Sequence, residues 1–346
     1  MVSHFYVHIP YCTTKCDYCD FYSVSGNSCV DEVYVDAVLL EIQERYQGDK
    51  LETIFFGGGT PSLLSGKQIE KIFSKLNIST NCEITIECNP ETLNHQQLLS
   101  FRKSGINRLS IGIQSFNEDK LRLIGRKRTV NAREKAELAL KVFDNVGIDL
   151  MYALPKQKKS DIFREVSLIP QEIKHVSYYA LTLEKKTKLY SKLNGRHPVK
   201  DDAQAELAEE VLQGLESRGY ERYEISNFAN KGYECKHNLA YWDYLDYLGV
   251  GAGAVSTVSG IRTENIKDIG KYVQGTKANQ DRLTENEQVN ERLMMNLRTI
   301  NGAPLEKRFK TVVDRYGDLL VVKEGRLILT NKGFLFHDTI VGELML

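Results

Sequence analysis

The chain is 346 residues long with 42% hydrophobic side chains, enough for one large α/β domain and a smaller one, each with an apolar core. Its 46 basic and 46 acidic residues cancel, so the charge balance gives no footprint for nucleic acid, and no window approaches the ~18 apolar residues of a spanning helix. Seven cysteines, an odd number, and an amino terminus without a secretory apolar region make a reducing, cytoplasmic setting the expectation.

Residues 5–10, with Phe5, Val7 and Ile9, read as a first strand, and the loop after it carries Cys12, Cys16 and Cys19. A structural zinc site closes four ligands into a tetrahedron. Three soft thiolates at C-x3-C-x2-C spacing with no obvious fourth suit a [4Fe–4S] cluster with one iron left open. A loop of free or zinc-bound thiols is the plainer reading of the same spacing.

A helix over about 31–45 follows, then a strand at 53–56 that runs into Gly57-Gly58-Gly59-Thr60-Pro61, and a helix over 67–76. The glycines permit close approach of backbone to a ligand, or simply a tight turn. No Lys-Ser/Thr pair follows in register, so this is not a phosphate loop. Strands at 83–87, 108–113, 148–154 and 175–183 alternate with helices over 91–103, 131–143, 160–169 and 202–217. Six strand–helix units imply a parallel sheet, and right-handed crossovers curl it towards an incomplete (β/α)6 relative of the TIM barrel. Functional residues then belong at the carboxyl ends of the strands. Glu87 and Gln114 fit that rule, while Asp149, near the start of its strand, fits it least.

The segment 246–256, DYLGVGAGAVS, lacks dinucleotide-site spacing and reads as a crowded turn closing the sheet. Beyond 261 the pattern changes to helices over 285–298 and 304–316, then a short β-wing and a closing helix. The expected division is 1–222 for the core, 223–260 for a sheet-closing segment and 261–346 for a small helical, winged-helix-like domain without a basic recognition face.

The cysteine loop resembles that of radical S-adenosylmethionine enzymes. In that family the open iron chelates the amino and carboxylate groups of S-adenosylmethionine, and an electron from the cluster breaks the sulfonium bond to give a 5′-deoxyadenosyl radical. IECNPE, RLSIGIQSF, LIGR and IDLMYALPKQ are similar to the cofactor segments of the oxygen-independent coproporphyrinogen III oxidase group. The resemblance implies S-adenosylmethionine contacts at Tyr6, Gly58, Gly59, Thr60, Glu87, Gln114, Arg126 and Asp149. Phe21 stands where the oxidases carry a fourth cysteine, and few residues precede the first strand. Both features match heme chaperones of the HemW type instead.

His237, Asn238, Tyr241 and Trp242 repeat an H-N-x-x-Y-W signature that resembles the heme motif of those chaperones. A neutral imidazole is a good axial ligand, and Tyr and Trp offer flat apolar faces to a porphyrin. On spacing alone His237 equally caps a turn while the tryptophan packs in the core. Cys235 reads as a second iron ligand or a small buried filler, and Cys29, Cys82 and Cys88 as structural. Val255 and Arg128 stand where the relatives carry histidines. Two lysine clusters, Lys156, Lys158 and Lys159, then Lys185, Lys186 and Lys188, fall on loops at the cluster mouth, as propionate, cytochrome or lipid contacts or as solvated charge.

The resemblance therefore implies a [4Fe–4S] protein that binds S-adenosylmethionine and carries heme to a respiratory hemoprotein, with an electron donor. It leaves open a homodimer, peripheral membrane contact and use of the radical. Porphyrinogen oxidative decarboxylation and an iron–sulfur docking scaffold are the alternatives.

Overall fold

Apolar runs such as 53–56 and 84–86 are buried on both faces, as parallel strands covered by helices must be. The computed structural model, which describes residues 1–276 and 278–346, gathers them into a twelve-stranded mixed sheet. Strands β1 (His4–Ile9), β2 (Leu51–Gly58), β3 (Ile78–Cys88), β4 (Arg108–Gln114), β5 (Val146–Tyr152) and β6 (His175–Ala180) lie side by side and parallel. Helices α1 (Glu32–Arg45), α2 (Gly66–Phe73) and α3 (His95–Ser104) follow the first three strands. The pair α4 (Glu118–Leu123) and α5 (Ala132–Leu140) follows β4, α6 (Lys159–Leu168) follows β5, and α7 (Lys188–Lys192) and α8 (Asp201–Glu216) follow β6. The α/β alternation expected from the sequence is present.

Helix α3 starts later than the expected position 91. Pro90–Thr92 forms a separate 3-10 turn, and the Asn94 side chain caps the helix by accepting from the Gln97 N–H. The segment 246–256 departs further from its reading as a turn. Strands β7 (Glu221–Arg222) and β8 (Asn227–Ala229) extend one edge of the sheet beyond β6. At the other edge β9 (Tyr247–Val250) adds a seventh parallel strand beside β1. Antiparallel β10 (Val255–Val258), β11 (Ile261–Glu264) and β12 (Asn279–Arg282) continue from it. Glycine makes this edge buildable: a Cβ at Gly249 would lie 2.1 Å from the Val255 carbonyl oxygen.

One apolar cluster runs through the large sheet and its helices. A second draws on residues from Leu293 to Leu344. It joins α11 (Glu285–Asn296), α12 (Lys310–Arg315) and α13 (His337–Leu344) to a three-stranded sheet of Ala303–Pro304, Leu320–Lys323 and Arg326–Leu329. In the chain between them, α9 (Lys236–Trp242) packs on β2 and on α11, and α10 (Ile269–Val273) packs on α1. No helix among the described residues is long and apolar enough to cross a membrane.

Candidate functional site

Strand β1 delivers the chain to a two-residue strand, Tyr11–Cys12, which pairs with Val24–Ser25 and so anchors the first cysteine. Cys16 and Cys19 are joined by a turn in which the Cys19 N–H donates to the Cys16 carbonyl at 3.3 Å. All three thiols line one cavity of about 320 Å³ at the carboxyl ends of the parallel strands. Gly58, Gly59, Thr60, Glu87, Gln114, Arg126 and Asp149 line the same cavity, so residues far apart in sequence converge. Tyr6 does not reach it; its ring stacks on Phe55 and borders a neighbouring cleft.

The donor set suits an iron–sulfur cluster. Burial pushes the Cys16 and Cys19 thiols up, and Arg126, 3.9 Å from the Cys16 sulfur, pulls the first back only in part. A cationic group in the cavity is what would hold them as thiolates. No trio of His, Cys, Asp or Glu among the described residues is spaced for a single ion. The thiols instead surround a volume. Gly59 leaves room for nothing else there, since a Cβ would meet the Tyr11 carbonyl at 2.7 Å and the Cys12 sulfur at 3.0 Å.

On the other wall, Gln114 ends β4 at a register shift against β5, with φ at +66°, and accepts from the Tyr179 hydroxyl at 2.6 Å. A bulged, left-handed residue on a cavity wall marks a side chain re-aimed for function. Arg126 donates to the Gly112 carbonyl at 2.7 Å, Asn89 Oδ1 at 2.9 Å and the Tyr18 hydroxyl at 3.2 Å. Asp149 lies mid-strand, yet its side chain faces the cavity and accepts from Ser110 Oγ at 3.0 Å. Asn89 and Tyr179 were not singled out in the sequence, although Asn89 lies inside the IECNPE segment. Arg128 is spent on the backbone, donating to the Ser115 and Ile113 carbonyls, and burial lowers it to about 10.

Glu87 accepts from the Gly58 N–H at 3.3 Å, and its carboxyl is raised to about 8, first by burial and then by the charge of Asp149. In the ligand-free protein the folded chain thus holds a proton that the unfolded chain, with a carboxyl near 4.5, releases. Stability is therefore lost as pH rises from about 4.5 through 8. Glu87→Gln should match wild type at pH 4 and exceed it by several kcal/mol, up to about 5, at pH 9. Thermal melts across that range check this, and equal pH slopes for the two proteins would refute it.

The H-N-x-x-Y-W segment forms α9, and its residues diverge. Asn238 lines the cavity that holds the three cysteine thiols. His237 is 1% exposed, with Nδ1 2.7 Å from Thr53 Oγ1 and Nε2 2.9 Å from the Tyr241 hydroxyl. Its ring stacks on Phe55, itself on the cavity wall, and burial lowers its pKa to about 3, so it is neutral. Trp242 packs under the Arg298 guanidinium, 4.5 Å from ring centre, and ties α9 to α11. Cys235 is fully buried, its thiol 3.6 Å from Glu83 Oε1.

Comparison with known proteins follows the same lines. The family model of the radical SAM superfamily matches residues 6–169. A protein from Lactococcus lactis named heme chaperone HemW is 34% identical over 99% of this chain and 97% of its own length. The chain belongs to the HemW family. HemW proteins of Bacillus subtilis (36% identical, 90% of this chain and 86% of that protein) and Escherichia coli (38%, 73% and 70%) are also similar. Among solved structures, the coproporphyrinogen III oxidase HemN of Escherichia coli superposes with a TM-score of 0.79, covering 99% of this chain and 89% of that one. At 22% identity it shares the fold. Membership of the radical SAM superfamily implies a [4Fe–4S] cluster and S-adenosylmethionine.

Proposed function

We propose that this protein, like the HemW relatives by name, is a heme chaperone: it binds heme as cargo and delivers it to a respiratory hemoprotein. The near full-length similarity to the Lactococcus lactis protein carries the reading, because it spans both the cysteine loop and the H-N-x-x-Y-W segment. Cys12, Cys16 and Cys19 would ligate the cluster. Gly58, Gly59 and Thr60 on one side and Glu87, Gln114, Arg126 and Asp149 on the other would hold S-adenosylmethionine, with Tyr6 supporting Gly57 from below. A reduced cluster of this kind supplies one electron when bound. The protein's own residues bind and orient the cofactor: Arg126 is placed to pair with a carboxylate and Glu87 to accept from hydroxyl or ammonium groups.

In this reading the sheet with its five helical crossovers works as a partial barrel, and the winged-helix-like unit, which starts after Arg282 and not at the expected 261 because 261–264 and 279–282 pair with the large sheet, acts as a lid or docking module. Of the motif residues His237, Asn238, Tyr241 and Trp242, assigned to heme by the resemblance, Tyr241 would border the cargo, with His237 behind it. For His237 to reach iron, Tyr241 has to release Nε2; in the conformation described here the imidazole positions Tyr241 instead. An electron donor and a recipient hemoprotein are the expected partners, in the cytoplasm or at the membrane surface.

Anaerobic titration of cluster-reconstituted protein with hemin should give a saturable, red-shifted Soret band. Absence of saturable binding would refute the carrier role. Porphyrinogen decarboxylation would then be the reaction to assay.

A further inference from the structure

A second cavity, of about 740 Å³, opens beside the cluster loop and shares Lys15, Cys16 and Cys19 with the cofactor cavity. That volume falls within the ~300–1,000 Å³ typical of small-molecule sites. Its walls carry Phe21, Tyr22, Tyr241 and Tyr247 together with His8, and Lys186 and Lys188 line it beside the carboxylates Asp17, Glu264 and Asp20, of which the first two are paired with Lys192 and Lys267. The Phe21 ring is 69% exposed, a large apolar surface left in water at the mouth of a cavity. Lys192 nearby is held by Asp17 at 2.5 Å. Lys186 and Lys188 are exposed, and neither forms an ion pair among the described residues.

We propose that this cleft is the cargo site, taking a flat dianionic tetrapyrrole against Tyr22, Tyr241 and Tyr247 with its carboxylates toward Lys186 and Lys188, and that it recognises the macrocycle rather than the iron. The inference rests on the carrier reading and says where and how the cargo is held. Phenol faces receive a porphyrin's π-surface by offset stacking. Lysines at the rim act as point charges for flexible carboxylates, which fixes which edge of the macrocycle enters. Four observations argue against recognition through iron. His8, the histidine on the cleft wall, has both ring nitrogens engaged, Nδ1 3.0 Å from the Tyr6 hydroxyl and Nε2 3.0 Å from the Tyr22 carbonyl oxygen. Both ring nitrogens of His237 are occupied. Cys235 is buried against Glu83. Val255, not a ligating residue, backs the cleft. Tyr241 is common to the cleft and to the His237 hydrogen bond, and this explains how a buried histidine shapes a site it does not enter.

The test is a pair of anaerobic titrations of the full-length, cluster-reconstituted protein, one with hemin and one with iron-free protoporphyrin IX, followed by absorbance and fluorescence quenching. The two dissociation constants are expected within about threefold of each other, that is, within ~0.7 kcal/mol. Replacing both rim lysines, Lys186→Glu with Lys188→Glu, should raise both constants by at least about tenfold while leaving the melting temperature unchanged. Val255→Trp, which fills the cleft, should do the same to both ligands; if that variant melts early, the lysine pair decides alone. Iron-free porphyrin binding more than about 30-fold weaker than hemin would show iron ligation and overturn the inference. So would hemin affinity unmoved by both substitutions. In those two cases hemin still binds and the carrier reading stands. If wild type binds no hemin, the carrier reading falls, and this inference with it.

Discussion

Arg126→Ala should weaken S-adenosylmethionine binding to the reconstituted protein by at least about 100-fold, or ~2.7 kcal/mol. The side chain is nearly inaccessible, and its guanidinium is held flat by Gly112, Asn89 and Tyr18, so it is oriented before any ligand arrives. Its Nε is buried with no partner among the described residues, which leaves a donor for an incoming carboxylate or an ordered water. Truncation also strands the Gly112 carbonyl at the point where β4 bulges, and this alone costs about 1–3 kcal/mol in the ligand-free protein. Arg126→Lys should recover little, because an ammonium keeps the charge but cannot span Gly112 and Asn89 together. Titration calorimetry on reconstituted protein and thermal melts of the ligand-free form separate the two effects. Binding within threefold of wild type in Arg126→Ala would remove Arg126 from the cofactor site.

Much of this site could be read from sequence because its parts sit on signals with strong periodicity. The six parallel strands are rich in Ile, Val, Leu and aromatic residues between turn signals, and the cysteines, Glu87 and Gln114 fall at or just beyond the strand ends where such folds concentrate chemistry. Asp149 looked misplaced only because position along the strand was weighed and facing was not. Alternate residues of β5 point to opposite sides, and Asp149 is on the side that opens into the cavity. Tyr247–Val250 was missed as a strand because four residues interrupted by glycine carry no period. Its hydrogen-bonding partner, β1, lies more than 240 positions earlier in the chain. The state of His237 was equally hidden. The spacing H-N-x-x-Y-W shows that His237 and Tyr241 share a helical face, and the Nε2 contact follows from that. The Nδ1 partner, Thr53, is 184 residues away and is set by the stacking of α9 on β2. A motif can thus name the residues of a site without showing which of them is free to bind.

Gly59→Ala should cost the protein its cluster, whereas Gly57→Ala should not. The two glycines share a loop but face different neighbours. A Cβ at position 57 would meet the rings of Tyr6 and Phe55, at 2.8 and 3.2 Å, and rings at the edge of a cleft can turn aside. A Cβ at position 59 would meet two backbone oxygens, of Tyr11 at 2.7 Å and Ile9 at 3.1 Å, and the Cys12 sulfur at 3.0 Å. Those oxygens belong to the end of β1 and to the Tyr11–Cys12 strand, and the Gly59 N–H already donates to Ile9 at 2.9 Å. Nothing there moves without moving Cys12. Overpacking of this kind costs about 1–3 kcal/mol, which a chain of this size survives as a folded protein. The displaced thiol is the larger consequence, because a cluster site tolerates little error in ligand position. Iron and acid-labile sulfide per chain after anaerobic reconstitution should fall to about a fifth of wild type or less in Gly59→Ala and stay within about a quarter of wild type in Gly57→Ala. Equal iron content in the two variants would mean that Cys12 is not held by the packing of Gly59. The cluster would then have to be positioned by the Cys16–Cys19 turn and the Arg126 guanidinium beside it.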